Sequence, residues 1–154
     1  MLIPSYRTQQ EKCPFIVQLA TALGIPENEI YAKRVLSAFC QTIRERIAPI
    51  SSNILIAHLP VSIQQLYLAD WTGKCSKNFN YVEFINALYT VKGYEHENLF
   101  STKKEVEVSV LVIFDFIKRL LSNNQYSEMM SFMPLSLRMN LITDYSFEEH
   151  KGFF

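Results

Sequence analysis

The run TKKEVEVSVLVIFDFIKRLL, from Thr102 to Leu121, decides the fold class, and it reads two ways. Between Val106 and Ile113 it is β-branched and partly alternating, the pattern of a half-buried strand. Thr102 and Glu105, however, stand at the spacing of a capping box. There a hydroxyl accepts the backbone N–H three residues on and the carboxylate returns the bond. Past the alternating part, Ile113, Ile117 and Leu121 recur every four residues and share one helical face. A cap followed by a sustained helical period outweighs the short alternation, so the run predicts one helix of about twenty residues.

An internal repeat points the same way. A shift of 74 positions lays Tyr31–Trp71 over Glu105–Tyr145 without a gap. Ile43 falls on Ile117, Pro60 on Pro134, Ser62 on Ser136 and Asp70 on Asp144, identities that alone are barely above chance. The shared order is the stronger signal: a long apolar helix, a short helix, a Leu-Pro or Met-Pro turn, then a helix closing on Asp and an aromatic. Leu36, Phe39 and Ile47 meet Val110, Ile113 and Leu121, so both copies keep one apolar face. The expectation is a single all-α domain over 1–154, with about eight helices in two pseudo-repeated four-helix units forming one bundle. The units lie at about 11–73 and 79–145, followed by a short tail at 146–154.

Working outward, Phe15, Leu19 and Leu23 mark a first helix over about 11–23, which Gly24 ends. Pro26 is expected to open the second, with Glu27 and Glu29 at the positive end of its dipole. That helix should run to Ile47 and stop at Pro49. A short helix over 51–57 follows, and Pro60 opens another that ends near Trp71. In the second unit, Asn80 and Glu83 form a capping-box pair ahead of Phe84, Leu88 and Val91.

Composition narrows the function classes. Hydrophobic residues are 49% and charged residues 19%, enough to bury a core and unlike a disordered chain. Lys plus Arg and Asp plus Glu are 15 each, which argues against a polyanion partner. Cys13, Cys40 and Cys75 are odd in number and widely spaced, so a disulfide framework is not expected and a reducing cytoplasm is. The N-terminal residues lack the basic flank and apolar run of a signal peptide. The most apolar stretch, 106–117, carries Glu107, Ser109 and Asp115 and is too short and polar for a membrane span.

The combination is familiar. A long amphipathic helix, HLPVSIQQLY from His58 to Tyr67, Asp70-Trp71, and a helix opening across Phe79–Phe84 together resemble the bacterial domain-of-unknown-function family 2267. The likeness covers about Phe15 to Tyr145, and includes the duplicated "LP" turn and the aromatic closing each half. In the second copy the turn's Leu is Met133, a volume-conserving departure. The resemblance implies a helical bacterial protein and transfers no activity and no functional residues.

No catalytic constellation stands out. His58, His96 and His150 are far apart, none with Glu or His at helical spacing suited to a shared metal, and the cysteines lack paired spacing. There is no nucleophile elbow, phosphate loop or dinucleotide fingerprint. Cys40 is expected to be a buried thiol, and His58 a part-buried histidine bonded to a backbone carbonyl at a helix junction. Glu95, Glu97, Glu148 and Glu149 are expected in solvent. No metal and no cofactor is expected, and the chain is read as a non-enzyme. Lys33, Arg34, Arg44 and Arg46 cluster on the second helix, and Gln64, Gln65 and Arg138 follow the two Pro turns, the features a nucleic-acid reading would use. Yet residues 1–74 hold seven basic and five acidic groups against eight and ten in 75–154, too even for a phosphate footprint.

Aromatic residues are 13% of the chain. Tyr67, Trp71 and Tyr145, at the ends of corresponding helices, read first as plugs at the junction of the units and second as interface residues. Phe153 and Phe154 are the best exposed-contact candidates. The functional expectation is a non-enzymatic protein-interaction or scaffold module that binds an unknown protein partner or itself. A helical bundle holding a small ligand or lipid between the units is the alternative.

Overall fold

Local capping sets most of the helix boundaries. The fold is that of a computed structural model describing residues 14–47, 49–69, 71, 79–91, 98–131 and 133–141. The helices are α1 (Pro14–Ala22), α2 (Glu29–Arg44), α3 (Pro49–Ala57), α4 (Val61–Leu68), α5 (Tyr81–Tyr89), α6 (Lys103–Leu120), α7 (Asn123–Ser131) and α8 (135–141). The protein is all-α, with no strand among the described residues.

Thr102 caps α6 by accepting the Glu105 N–H at 3.1 Å, and the alternating run is helical throughout. The alternation lost because Val106, Val110, Ile113 and Ile117 are buried together on one face, which a helical period provides and a strand does not. Asn80 and Glu83 close a full capping box on α5, at 2.8 and 3.0 Å. Two expectations need correction. Pro26 does not open α2; Asn28 caps it by accepting the Tyr31 N–H at 3.0 Å, leaving Pro26 in the preceding turn. Pro49 does not merely stop α2, which ends at Arg44; it is the first residue of α3, where a missing N–H costs nothing. Gly24 ends α1 as expected, at φ +82°. Its N–H reaches Thr21 O at 3.0 Å and the Ile25 N–H reaches Ala20 O at 2.9 Å, the paired bonds of a Schellman cap.

α1 packs on α2 and α5 on α6, and the pairs also cross, α1 lying against α6 and α5 against α2. α2 touches α6 and α4, while α3 packs against α7. At the crossing, the Phe39 ring meets Phe84 and Phe114 edge-on at 6.0 and 5.4 Å, and Phe15 meets Phe116 at 5.3 Å. Such aromatic pairs add to the area they bury. No helix among the described residues is long and apolar enough to cross a membrane.

Candidate functional site

Arg44, Ser51, Ser52 and Tyr67 form a buried polar cluster where α2, α3, α4 and α7 meet. Ser51 and Ser52 interrupt the apolar α3 and are both fully buried. Ser51 Oγ donates to Met129 O on α7 at 3.2 Å, and Ser52 Oγ shares a hydrogen bond of 2.6 Å with the Tyr67 hydroxyl. Tyr67 therefore lies inside: it is wholly buried, presents no surface to a partner, and takes the packing role instead of the interface one. Trp71 is half-buried, its ring edge-on to Tyr67 at 5.6 Å and 86°. Tyr145, Phe153 and Phe154 lie outside the described residues.

Arg44 completes this cluster. It is 5% exposed, and its Nη1 donates to Tyr67 O and Ala69 O, each at 2.7 Å. These carbonyls belong to the end of α4, where unpaired acceptors and the negative pole of the helix favour a cation. Its Nε is buried with no hydrogen-bond partner among the described residues. Arg46, half-buried, donates to Thr42 O at 2.9 Å. Of the four basic residues grouped on the second helix, Lys33 and Arg34 are the exposed ones. Gln64 is likewise engaged, its amide donating to Ile56 O and Leu59 O at 2.9 and 3.1 Å. Arg44, Arg46 and Gln64, which a groove-reading surface would use, are instead satisfying helix ends.

His58 sits on the turn after α3, its Nδ1 3.1 Å from Ile54 O and its Nε2 2.9 Å from Gln125 Nε2. The carbonyl contact is the one expected from the sequence. Cys40 is 2% exposed, and burial pushes its thiol up to about 12 against the opposing pull of the Arg44 guanidinium. A thiol so held is not the thiolate that nucleophilic chemistry or metal binding needs. His96, His150, Cys13, Cys75, Glu95, Glu97, Glu148 and Glu149 lie outside the described residues. Among the described residues, no group of three or more His, Cys, Asp or Glu is placed to hold a metal.

The surface offers a different feature. Val61 and Leu68, one face of α4, are 68% and 47% exposed, and Leu135 and Met139, one ridge of α8, are 64% and 55% exposed. Sequence reasoning placed its interface candidates on aromatics and overlooked these aliphatic residues. Their signal was available: Val61 and Leu135 each follow directly on a Pro that starts a helix, in registers where Ile63 and Leu137 take the core positions.

A family model described as an uncharacterized conserved protein (DUF2267) matches residues 13–139. The chain belongs to that family. No curated protein matches it. The DUF2267 match runs from α1 into α8 and takes in the Arg44–Tyr67 cluster, the His58–Gln125 contact and the exposed ridges of α4 and α8. The family description names no activity.

Proposed function

We propose that this DUF2267 chain is a non-enzymatic protein-interaction module of a bacterial cytoplasm, built from two related four-helix units that present equivalent apolar contacts. The observation that carries the reading is the exposure of Val61 and Leu135, 74 residues apart, each at the first position of its helix. An aliphatic side chain in water forgoes about 1.5–3 kcal/mol of burial. Recurrence at one register of both units makes a binding role a better account than scatter.

Three facts support the two-unit organisation. The starts of α2, α3 and α4 at 29, 49 and 61 precede those of α6, α7 and α8 at 103, 123 and 135 by the same 74 residues. All twelve positions buried between Glu105 and Leu141 fall, 74 residues back, on buried positions. The crossed packing of α1 on α6 and α5 on α2, with α3 on α7, is what a pseudo-two-fold axis between the units produces. A serine placed at both Val61 and Leu135 should leave the fold intact, since neither side chain supports the core. The tagged wild type should retain a stoichiometric protein partner, or a second copy in light scattering, through nuclease treatment, and the double variant should lose it. Equal recovery by both proteins would refute the role of these residues. Nucleic acid lost on nuclease treatment, or a small molecule seen by native mass spectrometry with no protein partner, would replace the interaction reading.

A further inference from the structure

The α3–α7 contact engages both ring nitrogens of His58, and the reason lies in the start of α7. Ser122 and Gln125 form a capping box there. The Gln125 N–H donates to Ser122 Oγ at 3.1 Å, and the Ser122 N–H donates to Gln125 Oε1 at 2.9 Å. With its oxygen committed to that N–H, the Gln125 side chain turns its NH₂ toward His58, 2.9 Å from Nε2. An NH₂ group only donates, so Nε2 must be the accepting lone pair. The proton of the neutral ring is then on Nδ1, where it donates to Ile54 O at 3.1 Å. Both ring nitrogens are used, and only the neutral Nδ1–H tautomer uses them.

We infer that His58 and Gln125 form a proton-sensitive latch between α3 and α7, closed when His58 is neutral and released when it takes a proton. An imidazolium carries N–H on both nitrogens, so protonation sets a donor on Nε2 against the Gln125 NH₂. Turning the amide to offer its oxygen would strip the Ser122 N–H of its acceptor and undo the cap on α7. Either response loosens the contact that joins these helices. The inference stands on this geometry and does not depend on the interaction reading above.

Among the described residues, no neighbouring group supplies a counter-charge through a bond to the ring. α3 carries no Asp, Glu, Lys or Arg, and α4 offers Tyr67, engaged with Ser52. α7 carries Glu128, which is exposed, and Tyr126, whose phenol is pushed up by burial and by Asp115 and stays neutral. On α6, Asp115 and Arg119 pair at 2.6 Å, and Lys118 lies over the Tyr126 ring at 5.9 Å. Histidine is the side chain whose ordinary titration falls between about pH 5 and 8. Acidification through that range supplies the proton whose N–H would face the Gln125 amide, so the α3–α7 contact is the one expected to loosen as pH falls.

Two measurements on the intact chain test the latch. Long-range nitrogen–proton correlation spectra of the wild type at pH 8 should show His58 as the Nδ1–H tautomer; an Nε2–H tautomer overturns the inference. Thermal unfolding should then be followed from pH 7.5 to 5.5 in wild type, His58→Gln and Gln125→Glu. The wild type should lose about 3 °C or more beyond the loss in His58→Gln, which has no ring to protonate. Gln125→Glu should reverse the trend and gain midpoint on acidification, because its carboxylate accepts from the imidazolium. Identical pH dependence in wild type and His58→Gln overturns the latch whatever the spectra show.

Discussion

Truncating Ile43 or Ile117 to alanine tests how the two long helices bury their faces. Ile43 is fully buried on α2, and Ile117, on α6, is 2% exposed. Each substitution removes three carbon atoms, a transfer loss of about 2.4 kcal/mol at about 0.8 kcal/mol per methylene. Relaxation into the hole is restricted near Ile43, because Phe39, one turn earlier, is held edge-on between Phe84 and Phe114. A residual cavity adds to the transfer loss, and the total should reach about 3–4 kcal/mol at each site, inside the range of about 2–5 for such changes. For a chain of this size the melting midpoint should drop by about 6–15 °C. Urea unfolding followed by far-UV circular dichroism is the assay, with the slope expected unchanged so that the midpoint alone reports stability. Val61→Ala, truncating a side chain 68% exposed, serves as the control and should cost under about 0.5 kcal/mol. Losses below about 1 kcal/mol at both isoleucines, with the slope intact, would refute the assignment of these faces to the core.

Other outcomes follow from single contacts. Gly24→Ala meets no neighbouring atom within 4 Å but must hold φ near +82°, so it should lose about 1 kcal/mol in urea unfolding through the backbone alone. Asn80→Ala removes the acceptor of the Glu83 N–H and should cost about 1 kcal/mol, with a smaller loss for Asn80→Ser. Cys40 predicts an alkaline weakness. Its thiol titrates near 9.0 when unfolded and about 12 when folded, so its contribution is whole below pH 9 and is lost as pH rises from there. The expected slope is up to about 1.4 kcal/mol per pH unit, and Cys40→Ala should flatten it in unfolding measured from pH 8 to 11.

The sequence made the fold legible where local chemistry and burial agreed. Thr102 and Asn80 announced their helices because a cap joins residues three positions apart and needs no tertiary partner. The alternating run after Thr102 was resolved by the same means, since β propensity describes a side chain's fit to a surface and yields when a helical face is available to bury it. Pro26 misled because proline suits both the first turn of a helix and the turn before it, and Asn28 is the stronger cap. Pro49 could equally stop one helix or open the next, and sequence spacing does not separate the two.

The polar cluster was hidden for a different reason. Arg44 lies four residues after the buried Cys40, on the inner side of α2, a position that reads as an error in an apolar stripe until the end of α4 is brought to it. Ser52 looks like a weak spot in a short helix until the Tyr67 hydroxyl arrives 15 residues later in the chain, and the His58–Gln125 bond spans 67. None of these partners is local, so no periodicity or spacing rule encodes them. What the sequence does carry is the anomaly: a charge, two hydroxyls and a histidine set among residues that otherwise bury. Because a polar group left unpaired inside costs about 1–3 kcal/mol, each such anomaly forecasts a partner. The partners found here tie α2 to α4, α3 to α4 and α3 to α7. Apolar faces would tolerate slippage at these junctions, whereas directional bonds hold one register. Arg44, Ser51 and Ser52 are therefore read as fixings between these helices, and the His58–Gln125 bond as the fixing that an added proton opposes.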